Sequence, residues 1–136
     1  ARSQIRPGDI LVTTTGQYLG RSAVVGPAIV GSLIASGAVT IVRPHSNVDA
    51  FFLAAFICSP PGKEQIAKLQ AAATAQPYLR RSDLKKLLVP LPPLQVQRKL
   101  STQIQDLRIE ARALAKRSAE LESESMQVIV KELLEP

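Results

Sequence analysis

Five apolar residues recur at a strict interval of seven near the C-terminus: Leu100, Leu107, Leu114, Leu121 and Val128. They lie within a stretch from Leu94 to Leu134 that holds no Gly or Pro. A heptad register of this kind is the seam of a coiled coil. At about 1.5 Å per residue the stretch makes a rod of roughly 60 Å, longer than so small a domain needs for its own core. The register therefore predicts a helix that packs against a partner helix; the alternative is an amphipathic helix folded back on its own domain. Ile104, Ala111, Ser118 and Ser125 occupy the complementary seam position, so the seam is apolar early and weak late.

Charge divides along the same stretch. Residues 98–117 carry six basic side chains against Asp106 and Glu110, net +4, whereas residues 118–136 carry five glutamates against Lys131, net −4. A parallel copy sets like charges together and an antiparallel copy sets basic against acidic, so antiparallel pairing is expected. The first 97 residues then hold ten Lys and Arg against four acids, and with them the whole net charge of +6. Such an excess points to an anionic partner, nucleic acid before a membrane surface, because the basic residues are scattered among loops and no amphipathic helix with aromatic anchors gathers them.

The remaining pattern predicts an α+β chain: a small, mixed, β-rich domain with short helices over residues 1–93, followed by the long helix over 94–136. Asp9 to Thr15, Ser22 to Val25, Ala28 to Ile34 and Ala38 to Val42 read as extended runs stopped by Gly or Pro. Asn47 is expected to cap a helix whose Val48, Phe52, Ala55 and Phe56 share a face, with Pro60-Pro61 ending it. Gly62 begins a second helix, Lys63 to Ala73, that turns Ile66 and Leu69 inward. After the Gln76-Pro77 break, Ser82 reads as the N-cap of a short turn through Leu87, Leu88 to Leu91 as a last strand, and Pro92-Pro93 as the entry to the long helix.

Catalytic groups are scarce. His45 is the only histidine, in a turn with only Asp49 near it, and Cys58 is the only cysteine, so neither a disulfide framework nor a cysteine-rich metal site can form. Cys58 reads as a buried apolar filler, and no metal site is assigned. No run approaches a membrane span and no signal peptide opens the chain, which makes the cytoplasm the default. Ala1 in place of Met suggests a processed product or a piece of something longer. Gly16 and Gly20 bracket a loop without the Lys and Ser/Thr of a phosphate-binding P-loop. Thr13, Thr14, Thr15, Gln17, Tyr18 and Arg21 can nonetheless hydrogen-bond phosphates or base edges. A second basic cluster follows at Tyr78, Arg80, Arg81, Lys85 and Lys86, in which the two arginines can take a phosphate or a guanine edge with two hydrogen bonds each.

Three segments in order, Gly8-Asp9-Ile10-Leu11-Val12-Thr13-Thr14-Thr15-Gly16, Tyr78-Leu79-Arg80-Arg81-Ser82-Asp83-Leu84 and Leu88-Val89-Pro90-Leu91-Pro92-Pro93-Leu94-Gln95-Val96-Gln97, resemble the specificity subunit of type I restriction-modification systems. The resemblance covers residues 5–134. It implies a target recognition domain that reads one half of a split DNA sequence, and a long helix that pairs antiparallel with a second copy or with the rest of its own polypeptide. The implied partners are double-stranded DNA, adenine-N6 methyltransferase subunits and a restriction subunit, with no membrane. Cofactors are expected only in those partners: S-adenosylmethionine, ATP and Mg. The Asn/Asp-Pro-Pro-aromatic motif of amino-methyltransferases is absent, Ser59-Pro60-Pro61-Gly62 being a superficial echo, so no catalytic residue is expected here. The sequence departs from the family in lacking an upstream tryptophan-containing motif and in having one domain and one helix where a full subunit has two of each. Two other readings stand beside it: an assembly module that does not bind DNA, and the C-terminal recognition portion of a single-chain restriction-methylation enzyme.

Overall fold

The computed structural model describes residues 4–28, 35–70 and 78–134. They form β1 (Ile10–Thr13), β2 (Ser22–Val24), β3 (Val39–Val42), α1 (Ala50–Cys58), α2 (Pro60–Leu69), α3 (Arg81–Leu84) and α4 (Leu94–Leu134). The fold class is α+β. The sheet is antiparallel throughout the described residues, in the order β2-β1-β3. The extended run expected at Ala28 to Ile34 falls, from residue 29 onward, outside the described residues, as do Gln76 and Pro77.

Strand β1 organises the core by period-two alternation. Ile10 and Val12 are fully buried and pack with Ala54, Ile57, Ile66 and Leu79. Cross-strand neighbours form two rows on this face, Val24-Ile10-Val42 and Ser22-Val12-Thr40. Ser22 ties the sheet to α1: its hydroxyl donates to the Ala54 carbonyl at 2.8 Å and lies 3.1 Å from Cys58 Sγ. Cys58 is thus half-buried beside a hydroxyl and is not an apolar filler.

Several local expectations shift by one or two residues for identifiable reasons. Asp49, not Asn47, caps α1, because it directly precedes the first helical residue and its Oδ1 accepts from Phe52 N at 2.9 Å. The buried face of α1 is Phe52, Ala54 and Ile57, with Ala55 and Phe56 only half-buried. Pro60 and Pro61 open α2; they do not merely end α1, since the first turn of a helix needs no N–H there and Ser59 caps it by accepting from Gly62 N. Gly62 sits where a Cβ would collide with the Phe56 carbonyl, which is why the corner between α1 and α2 can be so tight. Within the described residues α2 stops at Leu69; α3 is capped at Arg80, not Ser82, and has no side-chain cap. Leu88 to Leu91 is not a strand. The backbone of Leu88 is instead held by the Gln65 side chain, which donates to its carbonyl at 3.0 Å and accepts from its N–H at 2.8 Å, and Pro90 has no N–H to offer a ladder.

Two polar locks complete this part. Asp9, 1% exposed, takes a two-point contact from Arg43, with Nε and Nη2 each 2.7 Å from a carboxylate oxygen, and also accepts from Arg6 N at 2.8 Å. The second lock is at the root of α4. Gln97, also 1% exposed, donates through Nε2 to the carbonyls of Asn47 (3.2 Å) and Pro92 (2.7 Å), while its Oε1 accepts from Asp49 N at 2.9 Å. Ser101 donates to Asp49 Oδ1, the same oxygen that caps α1.

The chain divides into two compact units, Ala1–Ser101 and Thr102–Pro136, so the first two turns of α4 belong to the first. In the second unit the helix runs on to Leu134, with Leu107, Leu114, Leu121 and Val128 between 49% and 65% exposed. Arg117 pairs with Glu120 at 3.4 Å and Glu124 at 3.6 Å along its surface. No described helix is long and apolar enough to cross a membrane.

Both locks can be tested through stability. The hydrogen bond from Arg43 holds the Asp9 carboxyl below its ordinary range, against burial, which acts the other way. Its contribution to stability is therefore complete above the carboxylate pKa of the unfolded chain, about 3.9, and is lost as pH falls through the lowered folded value. Asp9→Asn should lower Tm at neutral pH and flatten the acid limb of a Tm-against-pH series; an unchanged limb refutes the assignment. Gln97→Ala leaves the Asp49 N–H and two carbonyls without their partner and should cost about 2 kcal/mol or more, visible as a lowered midpoint in urea, whereas Gln95→Ala on the exposed side should be near neutral.

Candidate nucleic-acid interface

The two clusters of candidate DNA-binding residues, 57 positions apart at their near ends Arg21 and Tyr78, adjoin in the structure. The hairpin loop between β1 and β2 is closed by Gly20 N donating to the Thr13 carbonyl at 2.8 Å and by Thr13 N donating to Arg21 O at 2.9 Å. Gly16 and Gly20 take positive φ of 79° and 80°, a conformation that glycine adopts without strain. Just beyond β1, Thr15 pairs antiparallel with Tyr78, and Leu79 N donates to the Thr14 carbonyl at 2.9 Å. Leu79, 1% exposed, anchors this segment in the core. Its burial leaves Tyr78 and Arg80 on either side exposed, as alternation in an extended segment requires.

The side chains differ in how far they are committed. Thr14 is 3% exposed and its hydroxyl donates to the Ala38 carbonyl at 3.2 Å, so it supports the loop from within. Thr13 and Thr15 are half-buried, and Gln17 and Tyr18 are exposed. The Arg21 guanidinium stacks over the Tyr18 ring at 4.4 Å from its centroid, which holds a flat cationic pair on the loop. Lys86 is partly neutralised by Asp83 at 2.9 Å. Arg80, Arg81 and Lys85 make no side-chain ion pair with any described residue, so their charge is free for a ligand. His45 is exposed in the turn preceding α1, with its carbonyl accepting from Val48 N. Among the described residues no group of His, Cys, Asp and Glu is arranged to hold a metal.

Beside this junction lies a cleft of about 370 Å³ along β3, lined by Thr14, Ser36, Thr40, Tyr78, Leu79 and Arg81 among others. Arg81 also borders a smaller recess of about 260 Å³ with Lys85. Ser36 and Thr40 escape a reading of the sequence because nothing local marks them; they reach the cleft only because β3 pairs with β1.

A small antiparallel α+β domain built onto the root of a long helix, with a basic, hydroxyl-rich junction, is the class that this fold defines. No family model and no curated protein matches the chain. Among solved structures, it is similar at TM-score 0.80 and 27% identity to a chain from work on complex assembly and conformational transition of the type I R-M system. It is similar at TM-score 0.72 and 27% identity to the HsdS subunit from Thermoanaerobacter tengcongensis. The matches cover 99% and 98% of this chain, which spans 35% of each of those chains. The chain is a structural relative of the HsdS specificity subunits of type I restriction-modification systems, and the resemblance carried by three sequence segments extends to nearly its whole fold.

Proposed function

We propose that this chain is a non-catalytic DNA-recognition part of a type I restriction-modification specificity subunit. Its globular domain, residues 1–93, reads one half of a split duplex target. The observation that carries the reading is the antiparallel pairing of Thr15 with Tyr78, which joins the hydroxyl-rich loop and the arginine cluster into one basic surface in a chain similar to HsdS. On this surface Arg80, Arg81 and Lys85 supply charge, and Thr13, Thr15, Gln17, Tyr18, Arg21 and Tyr78 supply hydrogen bonds and flat faces. Thr14 acts from beneath, and Lys86, held by Asp83, contributes less. Phosphate contacts position the domain and base-edge contacts give it sequence preference. Methylation and cleavage, with S-adenosylmethionine, ATP and Mg, belong to cytoplasmic partner subunits.

The helix over residues 94–136 serves assembly. Its exposed seam of Leu107, Leu114, Leu121 and Val128, with Leu100, Ile104 and Ala111 nearer the root, takes a second helix in antiparallel register, and further helices of methyltransferase subunits dock on the same rod. The division of charge at residues 117 and 118 favours that orientation over the parallel one.

Titration against a pool of randomised duplexes, with the bound fraction sequenced at two salt concentrations, should enrich a motif. Replacing Arg80 and Arg81 together with Ala should weaken binding and make the slope of log affinity against log salt shallower by about 0.9 for each phosphate no longer neutralised. Unchanged affinity and slope mean the surface is misassigned. In a Cys58→Ser background, Leu107→Cys should crosslink to Val128→Cys of a second helix. Exclusive pairing of position 107 with position 107 rules the antiparallel register out.

A further inference from the structure

Thr40 is 8% exposed and sits at the end of the cross-strand row Ser22-Val12-Thr40. At the opposite end of the row the Ser22 hydroxyl is spent on the Ala54 carbonyl, and on the neighbouring strand end the Thr14 hydroxyl is spent on Ala38. The Thr40 hydroxyl has no hydrogen-bond partner among the described residues. No sealed side-chain oxygen among the described residues lacks a partner, so this hydroxyl is open to the space that Thr40 lines, the cleft and the smaller recess beside it, both of which Arg81 borders as well. A polar group held this deep with nothing to bond is costly unless water or a ligand satisfies it.

The rest of the lining narrows the ligand. Arg81 stands at the same cleft with its guanidinium unpaired among the described residues, Ser36 adds a second hydroxyl and Tyr78 a phenol, and no described carboxylate lines the wall. One free guanidinium with hydroxyl donors and no acid is the donor set for an oxyanion, and Arg meets phosphoryl oxygens with two parallel hydrogen bonds. A volume of about 370 Å³ lies in the range of ligand sites and admits a phosphate with its sugar.

We propose that the β3 cleft is a phosphoryl-binding subsite in which Arg81 neutralises the charge and the Thr40 hydroxyl donates to a phosphoryl oxygen. As a DNA subsite it rests on the recognition function proposed above and adds Thr40, 38 residues before Tyr78 in sequence, to the binding surface. The same chemistry could hold a free nucleotide, and the test separates the two sources.

The test uses the whole chain, isotope-labelled, with backbone amide signals followed during titration by a short duplex, by dAMP and by inorganic phosphate, for wild type, Thr40→Val and Arg81→Gln. Thr40→Val removes the hydroxyl at nearly constant volume and should leave Tm unchanged. The expected result is movement of the Ser36, Thr40 and Arg81 signals with duplex, and a loss of affinity of several-fold in Thr40→Val and about tenfold in Arg81→Gln. If duplex binds the wild type and both variants equally while the β3 signals stay still, the subsite is wrong and DNA recognition stands. If duplex fails to bind but dAMP or phosphate moves the same signals and the variants abolish that, the phosphoryl subsite stands and DNA recognition falls. Stillness of the β3 signals with all three ligands overturns the subsite.

Discussion

The buried carboxamide of Gln97 is the interaction on which the arrangement of this chain depends. An amide taken out of water must find partners for both its oxygen and its nitrogen. Gln97 finds them in the backbone of Asn47, Asp49 and Pro92, so one side chain on α4 fixes the approach to α1, the start of α1 and the proline-rich segment that delivers the chain to α4. Asp49 closes the arrangement by capping α1 and accepting from Ser101 with one carboxylate oxygen. The first two turns of a helix of 41 residues are thereby part of the globular unit.

Strand β1 has the complementary role on the sheet. Its inward residues Ile10 and Val12 build the core, Asp9 immediately before it binds Arg43, and the Thr14 and Thr15 backbone immediately after it receives the segment that carries Tyr78 and Leu79. The electrostatics of the domain are sorted along this line. Arg43 and Lys86 are occupied by acids, whereas Arg80, Arg81 and Lys85 have no acidic partner among the described residues, so the free positive charge collects beside the loop and the cleft.

In residues 102–134 the helix presents apolar side chains at heptad spacing to solvent. Surface ion pairs such as Arg117 with Glu120 and Glu124 contribute little each, and a helix of this kind draws most of its stability from burying its seam. That requirement is the physical argument for a partner helix.

Much of this was legible without coordinates. The extent of α4 follows from a stretch free of Gly and Pro, β1 to β3 from β-branched runs between breakers, and the α+β class from their succession, because these depend on local stereochemistry and periodicity alone. Local rules failed where two candidates competed within a few residues. Asn47 and Asp49 can both cap a helix, prolines can end one helix or begin the next, and Leu88 to Leu91 looks extended until Gln65 claims its backbone. Both basic clusters were visible as residue types, but their junction through Thr15 and Tyr78, the commitment of Thr14 to Ala38, the pairing of Asp9 with Arg43 and the unpartnered hydroxyl of Thr40 were not. The sequence by itself determined which residues could bend, extend, cap or carry charge. The tertiary structure decided which of those groups meet, because hydrogen bonds and ion pairs between distant segments depend on register and burial that no local pattern encodes.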